Sequence, residues 1–355
     1  MKKIGIITII DKNNYGNRLQ NYALEKFCKE KYNCDTYTLN NDSYSNTKKM
    51  FLVRIIKNFL FNILKRKKEN KNRKYNFELF DKNINYYKKK INCYTNLNIF
   101  DYVIVGSDQI WNPHFRRMRE VDVLKGLESN KRISYAASLG VNQIPEANEE
   151  IVKKEISKFK SISVREDRGK EIIENLTGRK DIEVLIDPTM LLDSKEWEKV
   201  SKKPIQLKTD KYILNYFLGN LSEIRKKEIE KIAKENNCEI INILDKNSLF
   251  YECGPSEFLY LEKNAFLICT DSFHSSVFAI LFNRPFVIFD REDKEEKMNS
   301  RLETLINKFK LKNRKFESKI TKENLNHDYS EAYKILEKER KKSEEYLKKA
   351  LDIKE

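Results

Sequence analysis

His274 is the residue of this chain best placed for acid–base chemistry. It is one of three histidines among 355 residues and lies in Leu267-Ile-Cys-Thr-Asp271-Ser272-Phe273-His274-Ser275-Ser276-Val277, an apolar run that breaks and then resumes with helical spacing. That pattern predicts a buried strand passing into a helix, with the imidazole at the helix start, where free backbone N–H groups favour a phosphate or carboxylate. Ser272, Phe273 and Ser275 would share that anion site. The competing reading is a structural histidine bonded to Asp271.

Arg165 ends the strand-like run that begins at Ser161 and precedes Glu166. A guanidinium at a strand mouth can clamp a carboxylate or phosphate with two hydrogen bonds, or simply pair with a neighbouring acid. Arg301, in Asn299-Ser300-Arg301, opens a further helix and can reach the same cleft. Gly106-Ser107-Asp108-Gln109-Ile110-Trp111-Asn112-Pro113 combines polar side chains with an indole, a combination suited to sugars: the ring covers apolar C–H groups while Asp108, Gln109 and Asn112 take hydroxyls. Asp108 could also orient an attacking hydroxyl, and the same residues could instead cap a helix. The loop Asn13-Asn14-Tyr15-Gly16-Asn17, with Gln20 beyond it, pairs amides with a glycine that permits a tight turn or close approach. On this reading Asn14, Gly16, Asn17, Gln20, Asp108, Gln109, Trp111 and Asn112 bind an acceptor.

These loops must follow strands, because parallel α/β sheets bind ligands outside the carboxyl ends of their strands. Apolar runs predict strands at 3–10, 36–39, 101–106, 132–138, 161–165 and 182–186, and a second set at 212–218, 239–244, 265–270 and 285–290. Amphipathic spacing predicts helices over 17–31, 145–158, 167–176, 221–236, 255–263, 273–283 and 299–309. The alternation is that of an α/β fold with crossover helices. Residues 187–210 lack periodicity and contain two prolines, which sets domains at 1–195 and 205–320. A Lys/Glu-rich helix over 328–355, with Tyr333, Ile335, Leu336, Tyr346 and Leu347 as its apolar residues, is suited to strapping the halves together.

Composition narrows the class. Hydrophobic residues make up 40% and charged residues 35% of the chain, a globular balance rather than a disordered one. The six cysteines, at 28, 34, 93, 238, 253 and 269, form no CxxC pair, so neither a zinc ribbon nor a disulfide framework is expected and a reducing cytoplasm fits. No metal or cofactor is expected. The N-terminal run Ile4–Ile10 is short and meets Asp11 without a cleavage site, so it reads as the first strand. No stretch reaches the roughly 20 apolar residues that cross a membrane.

The net charge is +16. Residues 48–74 carry eleven Lys/Arg against Glu69 alone, with Leu52, Ile55, Ile56, Phe59, Leu60 and Ile63 on one helical face. Such a helix can lie on an anionic membrane surface, or pack on its own domain with its charges solvated. No helix-turn-helix, zinc or RNA-binding signature accompanies the charge, so no nucleic-acid partner is expected.

In order, YGNRLQNYAL, VGSDQIWNP, ISYAASLG, SVRE, DPTMLL, GPSEF, TDSFHSSVFAILF and NSRLETLI resemble the motifs of the polysaccharide pyruvyltransferase family over residues 3 to about 310. The resemblance implies two Rossmann-like domains in a GT-B-like arrangement with the active site in the interdomain cleft, acceptor side first and donor side second. It implies transfer of pyruvate from phosphoenolpyruvate to a free or lipid-linked saccharide, with Arg165 as the donor-binding Arg and His274 as the catalytic His. One departure stands out: family members often carry a second Arg two residues before that His, where this chain has Ser272. Arg301, Lys12 and Arg18 are the candidates to replace it, and a nucleotide-sugar glycosyltransferase is the rival enzyme.

Overall fold

A computed structural model describes residues 1–41, 70–91, 95–116, 118–292, 300–326 and 328–354. The first half runs β1 (Lys3–Ile7), α1 (Tyr15–Tyr32), β2 (Asp35–Thr38), α2 (Lys71–Asp81), β3 (Tyr102–Val105), α3 (Pro113–Arg116), β4 (Arg132–Ser134), α4 (Glu146–Glu155), β5 (Ser163–Val164), α5 (Asp167–Thr177) and β6 (Glu183–Val184). After α6 (Ser194–Glu198) the second runs β7 (Tyr212–Tyr216), α7 (Glu223–Glu235), β8 (Glu239–Asn242), α8 (Pro255–Asn264), β9 (Leu267–Thr270), α9 (Phe273–Leu281), β10 (Phe286–Ile288), α10 (Ser300–Lys308) and α11 (Ser330–Ala350). Each of the ten expected strands is present, several of them shorter than its apolar run.

Both sheets are parallel. The first has the order β2-β1-β3-β4, and bridges from Ile133 to Ser161 and from Ala137 to Val164 continue it into the β5-β6 pair. The second has the order β8-β7-β9-β10. In each sheet the chain reverses its direction of growth beside the first strand, between β1 and β3 and between β7 and β9. Those two switch points are where a parallel sheet opens a crevice for a ligand.

The halves share one apolar core. Tyr15, at the start of α1, stacks on Phe258 of α8 at 4.6 Å between ring centres and donates its hydroxyl to the Cys253 carbonyl at 2.8 Å. Trp197 of α6 packs edge-on against Phe278 of α9 and hydrogen-bonds the Thr189 carbonyl. The helix α11 bonds to both halves: Tyr333 to Ile280 O, Arg340 to Met190 O and Leu192 O, and Tyr346 to Ser134 O. Leu336, Tyr346 and Leu347 are buried, so its apolar stripe explains its course despite its charge.

Most of the basic segment 48–74 lies outside the described residues. Its last residues, from Lys71, begin α2. Arg73 there is buried and donates to Tyr15 Oη, Tyr251 O and Asn13 O. It is therefore a bolt between the halves rather than part of a solvated basic face.

Candidate active site

The loops after β1, β3, β7 and β9 converge on a cavity of about 160 Å³ lined by Asn14, Asp108, Gln109, Phe115, Tyr216, Leu218, Asp271, Ser272, Phe273, His274, Arg291, Arg301 and Leu302. Asp271 ties two of these loops together by accepting from the backbone N–H groups of Leu218 and Gly219 at 2.7 and 2.8 Å. It also accepts from Arg291 Nε at 3.1 Å. Asp271 is thus spoken for, and His274 faces a different acid.

That acid is Asp187. Its Oδ2 lies 3.7 Å from His274 Nε2, 2.6 Å from Arg165 Nη1 and 2.7 Å from Ser107 Oγ. Its Oδ1 accepts from the Thr189 N–H and hydroxyl. Burial alone would push this carboxyl up, but the imidazole of His274, the Arg165 guanidinium and the Ser107 hydroxyl outweigh it and hold the group far below the ordinary carboxylate range. The sequence reading placed Asp187 in an interdomain linker. Its signal was the Asp-Pro-Thr turn, in which an Asp caps a short helix opened by proline, as Asp187 does.

Arg165 and His274 meet at Asp187, but they do not line the cavity together. Arg165 is one layer back, with its guanidinium 4.5 Å from the centre of the Phe273 ring and Nη2 3.7 Å from Asp108 Oδ1. Among the described residues its Nε and Nη2 have no hydrogen-bond partner, and Phe273, on which it stacks, lines the cavity. Asp108 is on the wall, with a left-handed backbone at φ 67°, and Asn17 Nδ2 donates to its Oδ2 at 2.9 Å. Burial would raise the Asp108 carboxyl, but Arg165, His274, Asn17 and Arg301 together lower it.

Of the three candidate cations for the role of an Arg at position 272, Arg301 lines the cavity. Arg18 is fully buried against Asp81, Tyr86 and Ile9 O, and Lys12 is exposed. Arg301 makes no hydrogen bond or ion pair among the described residues, and its buried Nε is unpartnered. Burial first, then repulsion from Arg165, lowers its pKa to about 10.

Several expected contacts are corrected. Trp111 is fully buried, its Nε1 donating to Asp122 O and its ring edge-on to Phe159. The left-handed turn at Asp108 carries the next residues back into the core of the first half, so the indole faces no sugar. Asn112 is a helix cap that accepts from the His114 N–H. Gln20 is buried on Thr8 Oγ1 and Asn17 O. Asn17 is likewise buried and works through Asp108. Ser275 points away from the cavity, donating to Glu262 at 2.6 Å. Gly16 does permit a close approach, but the group that approaches is the imidazole of His274. The described residues contain no group of three His, Cys, Asp or Glu that could hold a metal, and their five cysteines are free.

Two parallel Rossmann-like halves with their switch points facing one cleft define the GT-B fold. A solved structure agrees: the S. aureus protein MnaA in a co-structure with UDP superposes with a TM-score of 0.52 at 12% identity, covering 100% of this chain and 98% of that one. A UDP-N-acetylglucosamine 2-epimerase of Methanocaldococcus jannaschii aligns at 17% identity, with a TM-score of 0.46 and coverage of 95% and 94%. The sequence model for polysaccharide pyruvyl transferase matches residues 14–293, so the chain belongs to that family. No curated protein matches the sequence.

Proposed function

We propose that the protein transfers pyruvate from phosphoenolpyruvate to a sugar of a cell-surface polysaccharide or its precursor. The observation that carries this reading is Arg301, a buried guanidinium that makes no hydrogen bond or ion pair among the described residues, on the wall of the cavity that holds His274. A desolvated cation of this kind calls for a small anion. The cavity volume, about 160 Å³, is below the roughly 300 Å³ at which pockets for larger organic ligands begin. It accommodates a three-carbon phosphate.

In this mechanism His274, with Asp187 Oδ2 3.7 Å from its Nε2, gives a proton to the methylene carbon of the enol. The double-bond electrons take up that proton, a methyl group forms and C2 becomes oxocarbenium-like. One acceptor hydroxyl adds to C2 and loses its proton to Asp108 or to the now neutral imidazole. A second hydroxyl then adds as the C2–O bond to phosphate breaks, its proton passing to the departing phosphate, which leaves a cyclic ketal and inorganic phosphate. Such a proton-transfer group contributes about 10²- to 10⁴-fold in rate. Arg301 and the first N–H groups of α9 stabilise the charge gathering on the phosphate, and Arg165 adds positive potential from behind Phe273.

The test is incubation with phosphoenolpyruvate and a panel of free and lipid-linked glycans, read by mass spectrometry for a pyruvyl ketal. Ser272 in the place of an arginine favours the rival, a nucleotide-sugar glycosyltransferase. Thermal protection by a nucleoside diphosphate and none by phosphoenolpyruvate would establish that rival instead.

A further inference from the structure

The mouth of the cavity carries an aromatic ring for which the mechanism has no use. Phe115, on the short turn Pro113–Arg116, lines the cavity and is 49% exposed, and Leu218 from the other half lines it at 48% exposed. Apolar side chains held half open in one polar cleft mark a contact for a ligand with an apolar face.

The amides beside them have fixed orientations. The His114 backbone N–H donates to Asn112 Oδ1, so the NH₂ of Asn112 must be the group that donates to Gln109 Oε1 at 2.7 Å. Gly140 makes room for that carbonyl: a Cβ there would lie 2.2 Å from Gln109 Oε1, and its φ is +63°. Gln109 Nε2 is left without an acceptor among the described residues. By the same logic the Asn17 N–H donates to Asn14 Oδ1 at 3.1 Å, which leaves Asn14 Nδ2 over. The cavity wall therefore offers two uncharged N–H₂ donors beside the exposed Phe115 ring.

We infer that the acceptor docks here as a neutral pyranose, a C–H face on Phe115 and its oxygens accepting from Asn14 Nδ2 and Gln109 Nε2. This rests on the sugar-modifying reading of the cavity. Phe115 takes the role that the sequence suggested for Trp111, and it determines acceptor specificity: a ring stacks on a pyranose whose face presents axial hydrogens.

The experiment is saturation-transfer NMR with methyl glycosides of neutral hexoses and N-acetylhexosamines, on wild type, Phe115→Ala and Phe115→Trp. The expected result is transfer to sugar ring protons in wild type, a fall of several-fold in Phe115→Ala and recovery in Phe115→Trp. Equal transfer in wild type and Phe115→Ala, or no transfer to any glycoside in wild type, overturns the inference. Phosphoenolpyruvate protection of Phe115→Ala, equal to that of wild type, shows the variant folded with its donor site intact. Absence of that protection in wild type instead counts against the donor assignment, separately from the sugar site.

Discussion

Gly16, in the first half of the chain, lies so close under the imidazole of His274, in the second half, that a Cβ on it would fall 2.0 Å from Nδ1. With Asp187 on the Nε2 side, the ring is held between a backbone and a carboxylate that both come from outside its own half. The surroundings of the proposed acid–base group are therefore assembled only when the halves are docked.

Gly16→Ala should separate activity from stability. Alanine is favoured over glycine in a helix by about 1 kcal/mol, so α1 gains locally while the ring of His274 must shift. The expected result is a kcat loss of about 10²-fold, the cost of misplacing a reacting group by about 1 Å, with the far-UV circular dichroism unchanged. Wild-type kcat would show that the ring's position is not set by this contact.

Asp187→Asn leaves Arg165 buried beside a neutral partner and should destabilise the fold by roughly 3 kcal/mol near neutral pH. The folded-state carboxyl is depressed below the ordinary 3.8, so its stabilising contribution is complete above that value and fades as pH falls towards the depressed one. Urea unfolding of the two proteins should show the gap at pH 7 narrowing below pH 3.8. A gap that widened on acidification would reverse the sign of the linkage.

Removal of Arg301 should cost donor binding without costing stability. Its guanidinium is desolvated and repelled by Arg165, so Arg301→Ala is expected to keep or raise the thermal midpoint while losing protection by phosphoenolpyruvate. Adding Ser272→Arg to that variant should restore part of the protection, because residue 272 lines the same cavity. Undiminished protection in Arg301→Ala would remove this residue from the donor site.

A chain lacking residues 48–69 should retain its fold, because the bolt at Arg73 and the helix that follows remain. We propose that the deleted segment holds the protein to anionic membranes, and flotation with anionic vesicles should fall in the deleted form and, at high salt, in wild type. Equal flotation of both forms would dismiss the membrane role.

A chelator should leave the transfer rate unchanged. Activity lost to chelation and restored by a divalent cation would contradict the metal-free mechanism proposed here.

The strands were legible in sequence because buried parallel strands are written as short apolar runs, and His274 because a strand breaking into a helix places its next residues at a sheet's ligand-binding edge. What a side chain faces is decided at another level. Trp111 and Phe115 are four residues apart, yet Trp111 is buried in the core of the first half and Phe115 is half exposed on the cavity. Asp187 sits 87 positions before His274 in the sequence, and no periodicity relates them. Local patterning thus determined the elements and the chemistry available. Only the docking of two sheets, which buries charges that must then find partners, decided which residues meet.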